Sequence, residues 1–130
     1  MSSFQLDYLY TPSTDVAADA AALVAELGGT LGFAIDDGGT KVAMVDVGGG
    51  PPILLTDHLP DGRTVHVFRV HDLAATSAVM EGRGWRAERR IELPPGPATT
   101  FSTPGGVRIA VYQASRPFVV DSFRGRRDFG

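Results

Sequence analysis

The 130-residue chain contains no cysteine, which excludes disulfides, thiolate metal sites and cysteine nucleophiles. It also lacks a surplus of positive charge. With a net charge of −3 and a pI near 5.5, it offers no general basic face for releasing counterions from nucleic acid. Only Arg124-Gly125-Arg126-Arg127 forms a dense basic cluster, and a single lysine stands against eleven arginines. No apolar run approaches the roughly 20 residues needed to span a bilayer. The opening Met1-Ser2-Ser3-Phe4-Gln5 has neither the basic nor the apolar region of a signal peptide, so the expected location is cytoplasmic. The Gly48-Gly49-Gly50-Pro51-Pro52 stretch lacks the following helix and Lys-Ser/Thr pair of a phosphate loop. No nucleophile elbow is present either.

What the chain does have is an internal repeat. Two halves, about 4–58 and 64–113, each run from an alternating strand to a capping Asp, an Ala-rich helix, a Gly and further strands. Asp15 lies 38 residues before Ile53, and Asp72 lies 37 before Ile109. Phe4, Leu6, Tyr8 and Tyr10 alternate as on a half-buried strand. A helix is expected from Val16 to about Leu27, capped by Asp15 and ended by Gly28-Gly29. Thr30–Ile35 and Lys41–Val47 form a hairpin across Asp36-Asp37-Gly38-Gly39, followed by a short strand Ile53–Thr56. The second half gives a strand Val65–Val70, a helix from Leu73 to about Gly82 capped by Asp72, and a strand Trp85–Leu93. After the rigid turn Pro94-Pro95-Gly96-Pro97, strand character resumes at Ala98. Strands Thr99–Thr103 and Val107–Gln113 are joined through Pro104-Gly105-Gly106. Leu59–Arg63 is the boundary between the modules.

The fold class is thus α+β, as two βαβββ modules within residues 1–114, with 115–130 as a C-terminal tail. The tail carries Phe118, Val119, Val120, Phe123 and Phe129. It either frays or is held by a second subunit, and the second reading is preferred because apolar side chains left in water gain nothing.

These residues resemble the vicinal oxygen chelate superfamily of glyoxalase I, bleomycin-resistance proteins and extradiol dioxygenases. The carriers are the paired βαβββ plan, Val67-Phe68-Arg69-Val70-His71-Asp72-Leu73, and Phe101-Ser102-Thr103-Pro104-Gly105-Gly106, with Thr103 where the family usually has Asp. The resemblance covers roughly 4–113 and implies a cup-shaped mixed sheet with helices outside, and commonly a homodimer. It places the family's metal ligands at Tyr8, Leu54, Val65 and Ala110. Leu, Val and Ala supply no donor atom, so no metal and no other cofactor is expected.

Parity assigns Tyr8, Tyr10 and Tyr112 to the cup face, with Leu54, Thr56, His58, Arg69 and Arg108 on the corresponding faces of their own segments and Glu92 as an added carboxylate. Asp57 and Asp61 lie near His58 in sequence. Aromatic rings offer stacking surface and arginines offer paired donors, which suits an aromatic or anionic small organic molecule. His66 is expected on the opposite face, packed beneath a helix, and Trp85 is expected to staple the second helix to its strand. Three functions remain open. One is metal-free small-molecule binding or sequestration. Another is a divalent-metal-dependent lyase, isomerase or dioxygenase. The third is an interior filled by its own side chains, with function at a dimer surface. No nucleic-acid or membrane partner is expected.

Overall fold

The computed structural model describes residues 4–58 and 63–129, so most of the expected boundary 59–63, and Asp61 with it, lies outside the described residues. The elements are β1 Gln5–Pro12, α1 Val16–Leu27, β2 Thr30–Asp37, β3 Thr40–Asp46, β4 Ile53–Thr56, β5 Val65–Val70, α2 Leu73–Gly82, β6 Arg86–Leu93, β7 Gly96–Ser102, β8 Arg108–Gln113 and α3 Pro117–Phe123. They form the expected α+β arrangement of two βαβββ modules. The backbone divides into two compact units. The first is Tyr8–Thr64 with Ser122–Gly130, and the second is Met1–Asp7 with Val65–Asp121. No helix of the described residues is long and apolar enough to cross a membrane.

In the first unit the strand order is β2-β3-β4-β1, with β1 parallel to β4 and the other pairs antiparallel. The helix begins where Asp15 accepts the Ala18 N–H at 3.1 Å and ends at Gly28, whose φ of 67° only glycine adopts cheaply. Its Val16 and Ala20 pack on Ala34, Ala43, Val45 and Leu55. The opposite face carries Phe33, Met44, Leu54, Tyr10 and Thr56, which are also buried. Burial on both faces explains why these strands read as apolar runs rather than strict alternations. The hairpin between β2 and β3 closes on Gly38 and Gly39, both at positive φ, and Gly39 N–H donates to Asp36 Oδ1. Asp36 and Asp37 are therefore turn and strand-end residues.

Residues 125–128 of the tail run along this chain's own β2, the edge strand of the first unit. Gly125 N–H donates to Gly32 O, Ala34 N–H to Arg126 O and Asp128 N–H to Ala34 O, forming a short parallel bridge. Phe123 meets the Phe33 ring edge-on at 5.5 Å, and Lys41 Nζ lies 5.3 Å from the centre of the Phe129 ring. The unpaired N–H and C=O groups of an edge strand are a liability, and this strap satisfies several of them.

In the second unit the order is β5-β8-β7-β6, with β5 parallel to β8 and the rest antiparallel. Asp72 caps α2 by accepting the Ala75 N–H at 3.0 Å. Leu73 and Met80 pack on Val70, Phe101 and Val111, with Trp85 against the same cluster and its backbone N–H on Met80 O. Trp85 therefore does join helix to strand. Strand β7 begins at Gly96, two residues before the expected Ala98, because Gly96 and Pro97 pair with Leu93 and Glu92 across the tight Pro94-Pro95 turn. The pairs between β7 and β8 start only at Ala98, so Pro97 interrupts no ladder on that side. His66 is exposed, not packed beneath α2 as expected. It shares the α2 side with Phe68 and Val70, but α2 covers the Val70 end of the strand.

The Asp128 carboxylate is held below the usual carboxylate value, first by the Asp36 N–H and then by Arg126. A value lowered in the folded state means that its contribution is complete above the unfolded value of about 3.9 and is lost as pH falls through the lowered one. Hydrogen exchange at Ala34 should therefore be steady from pH 7 to about 4 and faster below it after correction for intrinsic rates, and Asp128→Asn should remove that dependence. Separately, a β-carbon at Gly96 would lie 1.9 Å from Gln113 O. Gly96→Ala should lower the unfolding free energy in urea by about 1–3 kcal/mol, the cost of overpacking.

Candidate functional site

The first cluster of candidate residues lies in the first unit at the end of β4. Tyr10 and Thr56 are wholly buried, and each directs its hydroxyl at the exposed His58. Tyr10 Oη is 2.9 Å from His58 Nε2, and Thr56 Oγ1 is 2.7 Å from Nδ1. The tyrosine and imidazole rings meet edge-on with centroids 5.7 Å apart. A neutral imidazole has one donor and one acceptor nitrogen, and hydroxyls serve either role, so both partners are satisfied in either tautomer. The result is an exposed histidine whose imidazole is fixed in orientation through both ring nitrogens. Leu54 is the register partner of Tyr10 and is buried. Asp57 turns away from the histidine and accepts the Lys41 N–H at 3.1 Å.

The second cluster lies in the second unit, where Arg69 and Tyr112 are register partners on parallel β5 and β8. Asp7, at the start of β1, accepts the Tyr112 hydroxyl at 2.5 Å and lies 3.3 Å from Arg69 Nε. The Asp7 side chain is only 15% exposed and that of Arg69 is 44% exposed, so the carboxylate anchors an arginine whose far end reaches solvent. Beside it opens a groove of about 480 Å³ lined by Gln5, Arg69, Val70, His71, Gln113 and Ala114. It sits past the carboxyl ends of two parallel strands, the common ligand position in open sheets of that kind. Gln113 Oε1 accepts the Leu73 N–H at 2.9 Å, which fixes its amide beside the groove.

The nine sequence candidates thus divide. Tyr10, Leu54, Thr56 and His58 come together in the first unit, while Arg69 and Tyr112 come together in the second. Tyr8 is half-buried on β1. Arg108 is committed to Glu88 through two parallel hydrogen bonds of 2.9 and 3.2 Å. Glu92 does not join the set. The register pairs its neighbour Ile91 with Ala98, and Ala98 with Tyr112, so Glu92 lies on the opposite sheet face, 67% exposed and bonded to Arg116. Alternation from Tyr8 and Tyr10 puts Asp7 on the other face, which hides its role. The signal that could have found it is a carboxylate in a strand, where Asp is disfavoured unless something holds it. Gln5, His71 and Gln113 escape a sequence reading because the ends of strands carry no periodic pattern.

At the positions where the resemblance puts metal ligands, Leu54, Val65 and Ala110 are buried and have no donor atom, and Tyr8 is the only oxygen. That set does not fit a divalent cation. Among the described residues, no three His, Asp or Glu side chains converge.

No family model matches the chain, and no curated protein matches it either. Solved structures do. Methylmalonyl-CoA epimerase from Mycobacterium tuberculosis superposes with a TM-score of 0.68 at 20% identity, over 87% of this chain and 89% of that one. A hypothetical protein from Bacillus halodurans C-125 gives 0.73 at 15% identity, over 86% and 95%. A variant of Streptomyces coelicolor methylmalonyl-CoA epimerase, in complex with 2-nitronate-propionyl-CoA, gives 0.67 at 16% identity, over 88% and 99%. With the two βαβββ modules and their strand order, these likenesses establish that the chain has the fold of the vicinal oxygen chelate, or glyoxalase and bleomycin-resistance, superfamily.

Proposed function

We propose that the protein binds a small organic anion, without a divalent metal, in the groove of the second unit. The observation that carries this reading is Arg69, anchored at Nε by Asp7 and open to solvent beside a groove that also presents His71 and the Gln113 amide. An arginine held on one side by a carboxylate keeps donors free in a fixed direction, which favours carboxylate or phosphate over a neutral ligand. Epimerases of the same fold have been solved with methylmalonyl-CoA and 2-nitronate-propionyl-CoA, which makes acyl-CoA anions the first class to try. The residues at the family's ligand positions favour recognition by hydrogen bonds alone.

Calorimetric titration of EDTA-treated protein with methylmalonyl-CoA, free CoA and short-chain carboxylates provides the test. Binding should persist after chelation, and Arg69→Ala should weaken it by about 1.5–3 kcal/mol, the worth of a hydrogen bond to a charged group. No heat with any anion, or binding that returns only with added Mn, Co, Ni or Zn, would overturn the reading.

One observation favours a second reading. His58, held by Tyr10 and Thr56, is an oriented imidazole, a side chain type that can accept and return a proton, which supports acid–base isomerisation of such a thioester. In deuterium oxide that activity would exchange the proton at the acidic carbon of methylmalonyl-CoA. His58→Ala should abolish this exchange, and Tyr10→Phe should reduce it. An unlabelled thioester with the unaltered protein would end this second reading and leave the binding reading standing.

A further inference from the structure

We propose that the outer edge of β6 takes an extended acidic peptide of a partner protein as an added strand. The first support is the repeat. Strands β2 and β6 are the second strands of their modules, each is antiparallel to the strand that follows, and each ends its unit's strand order. Both carry the same register irregularity, between Leu31 and Phe33 in β2 and between Ala87 and Arg89 in β6. Counted from that irregularity, Arg90 occupies the place of Ala34.

On β2 that place is filled. Ala34 gives its N–H to Arg126 O, and its C=O accepts the Asp128 N–H, so an extended segment lies along the edge. On β6, among the described residues, no strand or tail lies outside Arg90. The molecule therefore shows what a strand added at this position looks like and leaves the second copy of the position open.

The second support is charge. Arg86, Glu88, Arg89 and Arg90 are all exposed along β6, with Arg83 just before it. The two carboxylates of the strand are neutralised, Glu88 by Arg108 and Glu92 by Arg116. Among the described residues Arg83, Arg86, Arg89 and Arg90 have no acidic partner. Charged side chains on an edge discourage pairing with a like edge, and here they would set arginine against arginine in a β6-to-β6 pair. The same side chains favour an acidic strand, whose main chain would supply the hydrogen bonds and whose carboxylates would supply the selectivity. Four unpaired arginines on an otherwise acidic chain need such a complement more than the rest of its surface does.

The test uses fluorescein-labelled hexapeptides of alternating Glu and Val, with the Lys and Val counterpart as control. Anisotropy should show binding of the Glu peptide that weakens with salt, and no binding of the Lys peptide. The triple variant Arg86→Glu, Arg89→Glu, Arg90→Glu should lose roughly tenfold or more in affinity, the summed effect of three exposed charge pairs. Because all three side chains are exposed, circular dichroism of the variant should match the parent. Hydrogen exchange at Arg90 should slow on binding, a change that adsorption to charge alone would not produce. Equal affinity for both peptides, no change in exchange at Arg90, or tighter binding of a single-stranded oligonucleotide than of the Glu peptide would overturn the proposal.

Discussion

Every backbone N–H and C=O in a sheet needs a partner, and the last strand of a sheet has none on its outer side. That constraint accounts for features of this chain that composition alone leaves unexplained. Along β2 the outer groups at Gly32 and Ala34 are met by main-chain groups of Gly125, Arg126 and Asp128. The strap is then secured by what flanks it: Asp128 takes the Asp36 N–H, Arg127 donates to Leu31 O, and Phe123 and Phe129 cover apolar surface. Arg126, Arg127, Phe123 and Phe129 thus have a structural purpose.

A second constraint arises inside the sheets. Strands β3, β4, β7 and β8 are largely buried on both faces, and a hydroxyl buried in or beside them costs free energy unless it finds a partner. Tyr10 and Thr56 both meet that need through His58, and Tyr112 meets it through Asp7. In each case the buried hydroxyl leads to an exposed residue, a histidine in one unit and an arginine in the other. Satisfying the interior therefore also positions the two side chains with the most useful chemistry. Replacing either tyrosine by phenylalanine would affect the orientation of the exposed group as well as the packing of the core.

Local chemistry made much of the fold legible. Asp15 and Asp72 before Ala-rich runs, Gly28 after one of them, and Asp-Asp-Gly-Gly between two apolar runs each act over a few residues, so the helices and the first hairpin could be located from the chain itself. The proline cluster misled because Pro95 ends a turn while Pro97 already lies within a strand, a distinction that depends on where β8 begins to pair. The strap could not be read, since it joins Arg126 to Ala34 across most of the chain and leaves no periodic trace. The candidate site was legible only in part for a related reason. The sequence reading puts nine residues into one set, which the structure divides into Tyr10, Leu54 and Thr56 with His58, and Arg69 with Tyr112, and strict alternation along β1 excludes Asp7 from the partners it meets.

A shared fold carries a scaffold, not a reaction, because the chemistry resides in the side chains placed on it. Superposition on epimerases at 16–20% identity is compatible with wide divergence at the site. Here the divergence has a definite direction. Where the superfamily pattern calls for imidazole and carboxylate donors, three positions hold buried aliphatic side chains, whose burial contributes to stability through apolar area removed from water. A metal site holds polar donors in the interior and relies on the ion to compensate for them, whereas Leu54, Val65 and Ala110 make no such demand. The polar groups Arg69, His71 and Gln113 lie instead at strand ends in the second unit, lining a groove where a charge keeps its hydration.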